Sequence, residues 1–288
     1  MNNMKCSLCP NECNVNRTTH NGFCGTSDTL RIAKYYLHPF EEPLISGKNG
    51  SGTVFFCGCA LKCVFCQNYE LSRNERGKNI TVEELANIFH ELESLGAHNI
   101  NLVNPTHYSN KIIDAFKIYK PKIPVVYNTH GYEKIEILKK LNEYVDVYLP
   151  DMKFFSPTLS KRYTGKADYF IKAEKAIRFM VESKPYSVGE DGLLKSGVIV
   201  RHLVLPLGVS DSKKVLEWFT TIKEKAYINV MSQYTPFGDI KNFKELQRPI
   251  TKREYDSVID YALSLGIKNM FYQEQQSADE KYIPSWDF

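Results

Sequence analysis

Three cysteines, Cys59, Cys63 and Cys66, form a C-x3-C-x2-C arrangement at the end of the apolar run GTVFFC (52–57). Three thiolates this close together can wrap one iron–sulfur cubane, since such clusters are held by cysteine thiolates at short spacings. Three ligands for four irons leave one iron open, and an open coordination position is what makes a metal site catalytic rather than structural. The alternative is a zinc ion that borrows a fourth ligand, for which Cys57 is at hand. Taken by itself, Cys57 reads as a small buried residue of the strand. A second set, Cys6, Cys9, Cys13 and Cys24, is spaced C-x2-C-x3-C-x10-C. Four thiolates close a metal site fully, so this set reads as structural zinc or as a second iron–sulfur cluster with a structural or electron-relay role. Thiolate ligands alone do not separate zinc from iron.

All eight cysteines lie in the first 66 of 288 residues, and the remaining 288 − 66 = 222 residues have none. A secreted disulfide scaffold would be short and cysteine-dense throughout. The N-terminus, MNNMKCSLCP, is polar and has no apolar h-region, so the expectation is a cytoplasmic protein with metal-binding thiols. No apolar run approaches the length of a membrane span, so no membrane is expected. Lys plus Arg exceed Asp plus Glu by 37 − 33 = 4, too weak a bias to predict a nucleic-acid partner. With 43% hydrophobic and 24% charged residues the chain is ordinary globular material, which excludes long disorder and collagen-like structure.

Residues 1–50 read as a cysteine-rich N-terminal segment of weak apolar periodicity. The HPFEEP stretch within it carries Glu41 and Glu42 beside prolines, which points to a solvated or loop-anchoring turn, with a lid over the barrel mouth as the alternative. From residue 52 strands and helices alternate. Strands are predicted at 52–57, 100–104, 123–128, 145–151, 197–205 and 227–234. Helices are predicted at 81–96, 107–119, 133–144, 168–183 and 210–225. A C-terminal helix at 251–266 and strand at 267–273 complete the pattern within 241–288. Thr81 with Glu84, and Thr251 with Glu254, have capping-box spacing. Val- and Ile-rich strands alternating with helices mark a parallel sheet covered by helices. Six or seven such units fall short of the eight of a closed barrel. The predicted fold is α/β, a partial (β/α)6 TIM-like barrel over 51–240.

In such folds chemistry sits where strands end at their carboxyl edge. Polar residues collect at those ends: the cysteine loop after the first strand, NPTHY after the second, NTHGY after the third, PDMK after the fourth. Asn104 and Thr106 carry carbonyl and hydroxyl acceptors. His107 reads equally as a helix N-terminal residue or a substrate contact, and Tyr108 follows it. Asn128 suits ribose hydroxyls or a carboxylate. Asp151 and Lys153 form a D-x-K pair on one side of an extended chain, with an internal ion pair as the plainer reading. Arg201 and His202 interrupt the apolar run GVIVRHLVL, and one of them must point inward, where an unpaired charge is costly. Gln233 and Tyr234 close the sixth strand.

With Phe65 just before its last cysteine, the C-x3-C-x2-C motif resembles the radical S-adenosylmethionine (SAM) superfamily. The resemblance points to the branch around the pyruvate formate-lyase activating enzyme. It spans 52 to about 235, through GSGTVFFCGCALKCVFCQNY, NINLVNPTHY, VVYNTHGYE, YLPDMK, VIVRHLVLP and SQYTP. It implies that Cys59, Cys63 and Cys66 hold a [4Fe–4S] cluster whose open iron chelates SAM. It implies an enzyme that cleaves SAM reductively to a 5′-deoxyadenosyl radical, which abstracts hydrogen from a substrate. Phe65, Asn104, Thr106, Asn128, Asp151, Lys153, Arg201 and Gln233 are the expected cofactor contacts, with Arg201 assigned to the SAM carboxylate or ribose. His107, Tyr108, His202 and Tyr234 are the candidate substrate residues, His202 being equally readable as a satisfied core residue. The family's Gly-Gly-Glu stretch after the second strand is absent, and Asn104-Pro105-Thr106-His107 stands in its place. Expected partners are an electron donor such as flavodoxin or ferredoxin and a glycyl-radical enzyme or peptide, with a small molecule as the rival substrate. The plainest alternative is a non-enzymatic iron–sulfur or zinc protein.

Overall fold

The computed structural model describes residues 5–74 and 76–272. Its strands are β1 (Leu30–His38), β2 (Ser51–Phe56), β3 (Lys78–Ile80), β4 (Ile100–Val103), β5 (Val125–Thr129), β6 (Val147–Pro150), β7 (Ser187–Val188), β8 (Leu194–Leu203), β9 (Tyr227–Met231) and β10 (Met270–Tyr272). The helices are α1 (Pro43–Ser46), α2 (Tyr69–Ser72), α3 (Val82–Ser94), α4 (Ser109–Ile118), α5 (Ile135–Leu141), α6 (Pro157–Thr164), α7 (Tyr169–Ser183), α8 (Val209–Phe219) and α9 (Lys252–Ser264). The expected strand at 267–273 forms over Met270–Tyr272, and Gln273 lies outside the described residues, as do 1–4 and 274–288 of the terminal segments.

The sheet runs β10-β9-β8-β6-β5-β4-β2-β1-β3. Every pairing from β10 to β2 is parallel. β2, β5 and β6 are buried along their whole length, as parallel strands covered on both faces must be. The two edges, β10 and β3, do not pair, so the barrel is open. Helix starts follow the sequence: Thr81 with Glu84 and Thr251 with Glu254 form reciprocal capping boxes.

No strand is expected from the sequence at Leu30–His38, yet β1 pairs antiparallel with β2 over most of its length. A register shift between Ile32 and Lys34 breaks the period-2 alternation, so the pattern does not show in the sequence. The pairing has a consequence for the site. His38 lies opposite Ser51, the first residue of β2. The connection 39–50, with Glu41 and Glu42, therefore sits at the amino edge of the parallel strands, across the barrel from the cysteine loop.

The lead segment is fastened by a buried guanidinium. Arg17, 5% exposed, donates to the carbonyls of His107, Thr26 and Ser27 and to Thr26 Oγ1 at 2.9 Å. Its guanidinium also lies over the Tyr108 ring, 5.5 Å from the centroid. Gly58, at φ 82°, is where this segment meets the barrel: a Cβ there would stand 2.4 Å from Thr26 Cγ2 and 2.8 Å from Cys24 O. Among the described residues no helix is long and apolar enough to cross a membrane.

Arg17→Ala leaves several buried carbonyls without a donor. Chemical denaturation is expected to show a loss of about 3 kcal/mol. Limited proteolysis should then cut first before residue 30. Wild-type protease resistance there would mean that Arg17 does not fasten the segment.

Candidate active site

The cysteine loop is held from four sides by backbone groups. Cys59 N donates to Cys24 O at 3.1 Å and Gly58 N to Leu71 O at 2.7 Å. Val64 N donates to Tyr163 O at 2.9 Å, and Asp239 N to Val64 O at 2.8 Å. Arg73 donates to the carbonyls of Lys62 and Cys63 at 3.2 and 3.3 Å. Cys59 Sγ accepts from Leu61 N and Lys62 N at 3.3 and 3.5 Å. Phe65 stands edge-on to Phe154, Tyr163 and Tyr234, with centroids 6.0, 6.1 and 6.4 Å away.

Cys59, Cys63 and Cys66 line one cavity of about 710 Å³ that descends through the barrel to Glu41 and Glu42. Phe65, Asn104, Asn128, Asp151, Lys153, Arg201 and Gln233, seven of the residues expected to contact the cofactor, line the same cavity. At its centre Arg201 Nε donates to Asp151 Oδ1 at 3.0 Å, Nη1 to Glu41 Oε1 at 3.4 Å and Nη2 to Asn128 Oδ1 at 2.6 Å. Lys153 Nζ meets Asp151 Oδ2 at 2.6 Å. Burial works against both charges of this pair. Arg201 and Lys153 nonetheless hold the Asp151 pKa below the usual carboxylate range, and Asp151 holds that of Lys153 above the usual ammonium range. The ion pair and the cavity position thus coexist.

Several expectations are corrected. Arg201 places each of its three nitrogens on a protein acceptor and lines the cavity, so it organises the strand ends while facing the space expected to hold SAM. Thr106 is 0% exposed and off the cavity, donating to Glu133 Oε1 at 2.6 Å. His107 takes the helix N-terminal alternative: with Tyr108 it ends the short helical turn Thr106–Tyr108, which aims both into the seam with the lead segment. There His107 Nε2 bonds Cys57 O at 2.7 Å, and burial drives its pKa down to about 3. His202 is the satisfied core residue: Nδ1 bonds Met152 O at 2.7 Å, Nε2 bonds Ser212 Oγ at 2.8 Å, and burial lowers its pKa to about 4. Tyr234 is buried behind Phe65 and donates to Leu246 O at 2.6 Å. Cys57 turns away from the three thiols and donates to Arg76 O at 3.0 Å, so it is no fourth ligand. The HPFEEP turn takes the loop-anchoring alternative at its two glutamates, while Pro39, Phe40 and Pro43 stay exposed. Glu41 accepts from Asn101 at 2.7 Å and Asn128 at 3.1 Å, and buried Glu42 accepts from Asn229 at 2.7 Å. Asn101 and Asn229, polar positions within predicted strands, were the available signal for these partners.

A further buried acid, Glu133, is 2% exposed. Thr106 and Thr129 both donate to its Oε1, and burial raises its pKa to about 7.

The donor set fits an iron–sulfur cluster with one open position. Three thiols of one loop face one cavity, and no fourth cysteine among the described residues lines it. Burial pushes Cys59 up to about 11 and raises Cys63 and Cys66 as well, so a bound metal is what would make them thiolates. Cys13 and Cys24 of the lead set approach each other at Gly22, where a Cβ would lie 3.5 and 3.3 Å from their Sγ atoms. Among the described residues no three His, Cys, Asp or Glu side chains converge as the ligands of a single ion do.

Residues 53–190 match the Radical SAM superfamily. An uncharacterized protein of Methanocaldococcus jannaschii is 30% identical over 267 residues, covering 89% of this chain and 74% of that protein. The pyruvate formate-lyase-activating enzyme of Clostridium pasteurianum is 28% identical over 192 residues, 62% of this chain and 71% of that enzyme. Among solved structures, methylornithine synthase superposes with a TM-score of 0.51 at 19% identity, covering 71% of this chain and 59% of that one. Streptococcus suis SuiB bound to its precursor peptide SuiA superposes with a TM-score of 0.53 at 14% identity, over 75% of this chain and 46% of that one. This chain thus spans about half the length of SuiB, and at such identity the likeness is one of fold. The chain belongs to the radical SAM superfamily and is an enzyme, related to the activating enzymes. The family uses a [4Fe–4S] cluster and SAM.

The raised pKa of Glu133 fixes a sign. The folded state keeps this acid protonated up to about pH 7, whereas the unfolded chain ionises near 4.5. Its contribution to stability is full below the unfolded value and is lost as pH rises toward 7. The loss is about 3 kcal/mol. Urea denaturation at pH 5 and pH 7 is expected to show Glu133→Gln gaining on wild type at the higher pH. A pH-independent difference would contradict the assignment.

Proposed function

We propose that Cys59, Cys63 and Cys66 hold the [4Fe–4S] cluster at the mouth of the barrel cavity, and that SAM and substrate share the space below it. The observation that carries this reading is the common cavity of the three thiols, the Asp151–Lys153 pair and Phe65. When bound there, the cluster would supply the electron for reductive cleavage of SAM to methionine and a hydrogen-abstracting 5′-deoxyadenosyl group. Flavodoxin or ferredoxin is the class of donor that supplies that electron.

The chain's own groups bind, orient and exclude water. Lys153, kept charged by Asp151, is placed to meet a carboxylate. Asn104 Oδ1, buried and without a hydrogen-bond partner among the described residues, is an acceptor for an N–H or O–H group. Phe65 offers an apolar ring held by three aromatic neighbours. Asn128 and Gln233 border the same space. Arg201 is a positioning residue that sets the Asp151 carboxylate and the Asn128 amide.

The substrate we propose is a protein or peptide, a glycyl-radical enzyme in particular, because the Clostridium pasteurianum relative is named for activating pyruvate formate-lyase. We assign Cys6, Cys9, Cys13 and Cys24 to a second metal, as zinc or a second cluster. Eight free cysteines suit a reducing, cytoplasmic compartment.

Anaerobically reconstituted and dithionite-reduced protein is expected to convert SAM to 5′-deoxyadenosine, and Cys59→Ala to lose all of it. SAM left intact by wild type, or cleaved equally by Cys59→Ala, would contradict the assignment. Metal analysis checks the lead cysteines. Replacing all four by Ser is expected to remove about four irons or about one zinc from the wild-type count. An unchanged count would remove the second site.

A further inference from the structure

The end of the cavity opposite the thiols is rich in acceptors. Glu42 uses Oε2 to accept from Asn229. Asn229 lines the cavity at 4% exposure, and its Oδ1 has no hydrogen-bond partner among the described residues. Ser46 Oγ, from α1, is likewise buried and unpartnered on a residue 3% exposed that lines the same cavity. Buried polar atoms are normally satisfied, so unmet acceptors beside a carboxylate point to a ligand that donates. The protein's own cation there is already committed: Arg201 is divided between Asp151, Glu41 and Asn128. Three carboxylates, Glu41, Glu42 and Asp151, face two cations, Arg201 and Lys153, which leaves one negative charge uncompensated when Glu42 is ionised.

We propose that this floor binds a cationic group of the substrate, an alkylammonium or a guanidinium, on the Glu42 carboxylate, Asn229 Oδ1 and Ser46 Oγ. The inference rests on the reading that the cavity admits substrate, and its test does not depend on SAM cleavage. Burial first, with the charges of Glu41 and Asp151, raises the Glu42 pKa to about 7 against the pull of Arg201 and Asn229. A cation prefers the ionised form, so its affinity must rise with pH through that value. Glu41, Asp151, Arg201, Lys153 and His38 are the other charged or titratable groups on that side. Asp151 and Arg201 are held charged by each other, and Lys153 by Asp151. Burial lowers the pKa of His38, at the end of β1, below the ordinary imidazole value, against the pull of Glu41.

Calorimetric titration of the reconstituted protein with n-butylammonium chloride tests this, with n-butanol as the neutral isostere. Saturable binding is expected, about tenfold tighter at pH 8 than at pH 6. It should weaken by about tenfold or more in Glu42→Gln. Equal binding of n-butanol would show an apolar fit only. Displacement by equimolar sodium or potassium would show an inorganic cation site. Either result, a flat pH profile or no saturable binding overturns the proposal. Circular dichroism checks that Glu42→Gln folds, and if it does not, the wild-type pH profile decides. Loss of butylammonium binding with SAM cleavage intact would sink the floor alone. Binding without SAM cleavage would instead sink the active-site reading.

Discussion

A buried guanidinium holds this barrel together at its centre. An open parallel sheet lacks the closure that would fix its strands, and Arg201 supplies cross-links inside the lumen. From β8 it reaches Asp151 at the end of β6, Asn128 in β5 and Glu41 in the β1–β2 connection. Burying that charge is tolerable only because each nitrogen meets an acceptor. Asp151 in turn fixes Lys153, and Asn128 fixes Glu41. One side chain thus sets the polar lining from the mouth of the cavity to its floor.

The cysteine loop is positioned by different means. Main-chain bonds to Cys24, Leu71 and Tyr163 hold it in place, and the side chains of Asn11, Arg73 and Asn104 donate to its carbonyls. The lead segment therefore does more than carry thiols of its own. Its Cys24 carbonyl bonds directly to the Cys59 amide, so the two cysteine sets are neighbours across one hydrogen bond. Asn104 belongs to both sets of contacts: its Nδ2 donates to Gly58 O and the residue lines the cavity, so one side chain ties the cluster loop to the cofactor space.

Much of this was legible in the sequence, and the boundary has physical causes. Cys59, Cys63 and Cys66 carry their meaning in local spacing, and a D-x-K pair at a strand end needs only the strand to be recognised. The β/α alternation was read correctly because buried parallel strands are continuous apolar runs. His107 takes the helix N-terminal alternative, and the turn there rotates it and Tyr108 into the lead-segment seam, a rotation no local pattern records. His202 and Arg201 are adjacent, so only one could face the lumen; burial of the other among backbone acceptors decided which. For Glu41 and Glu42 the loop-anchoring reading holds, and what the sequence hides is where they anchor. Two glutamates between prolines look solvated, and only the unread antiparallel pairing of β1 carries them to the barrel floor. Their partners, Asn101 and Asn229, lie 60 and 187 residues away in sequence from Glu41 and Glu42, beyond the reach of any local reading.

The most direct test of the account is the electron paramagnetic resonance spectrum of the reduced, reconstituted protein before and after SAM is added. Three thiolates leave one iron for the cofactor. The account predicts a reduced-cluster signal that changes shape and g-values when SAM binds. A signal indifferent to SAM would mean that the cluster has no open iron in this cavity, and the account would be wrong at its centre.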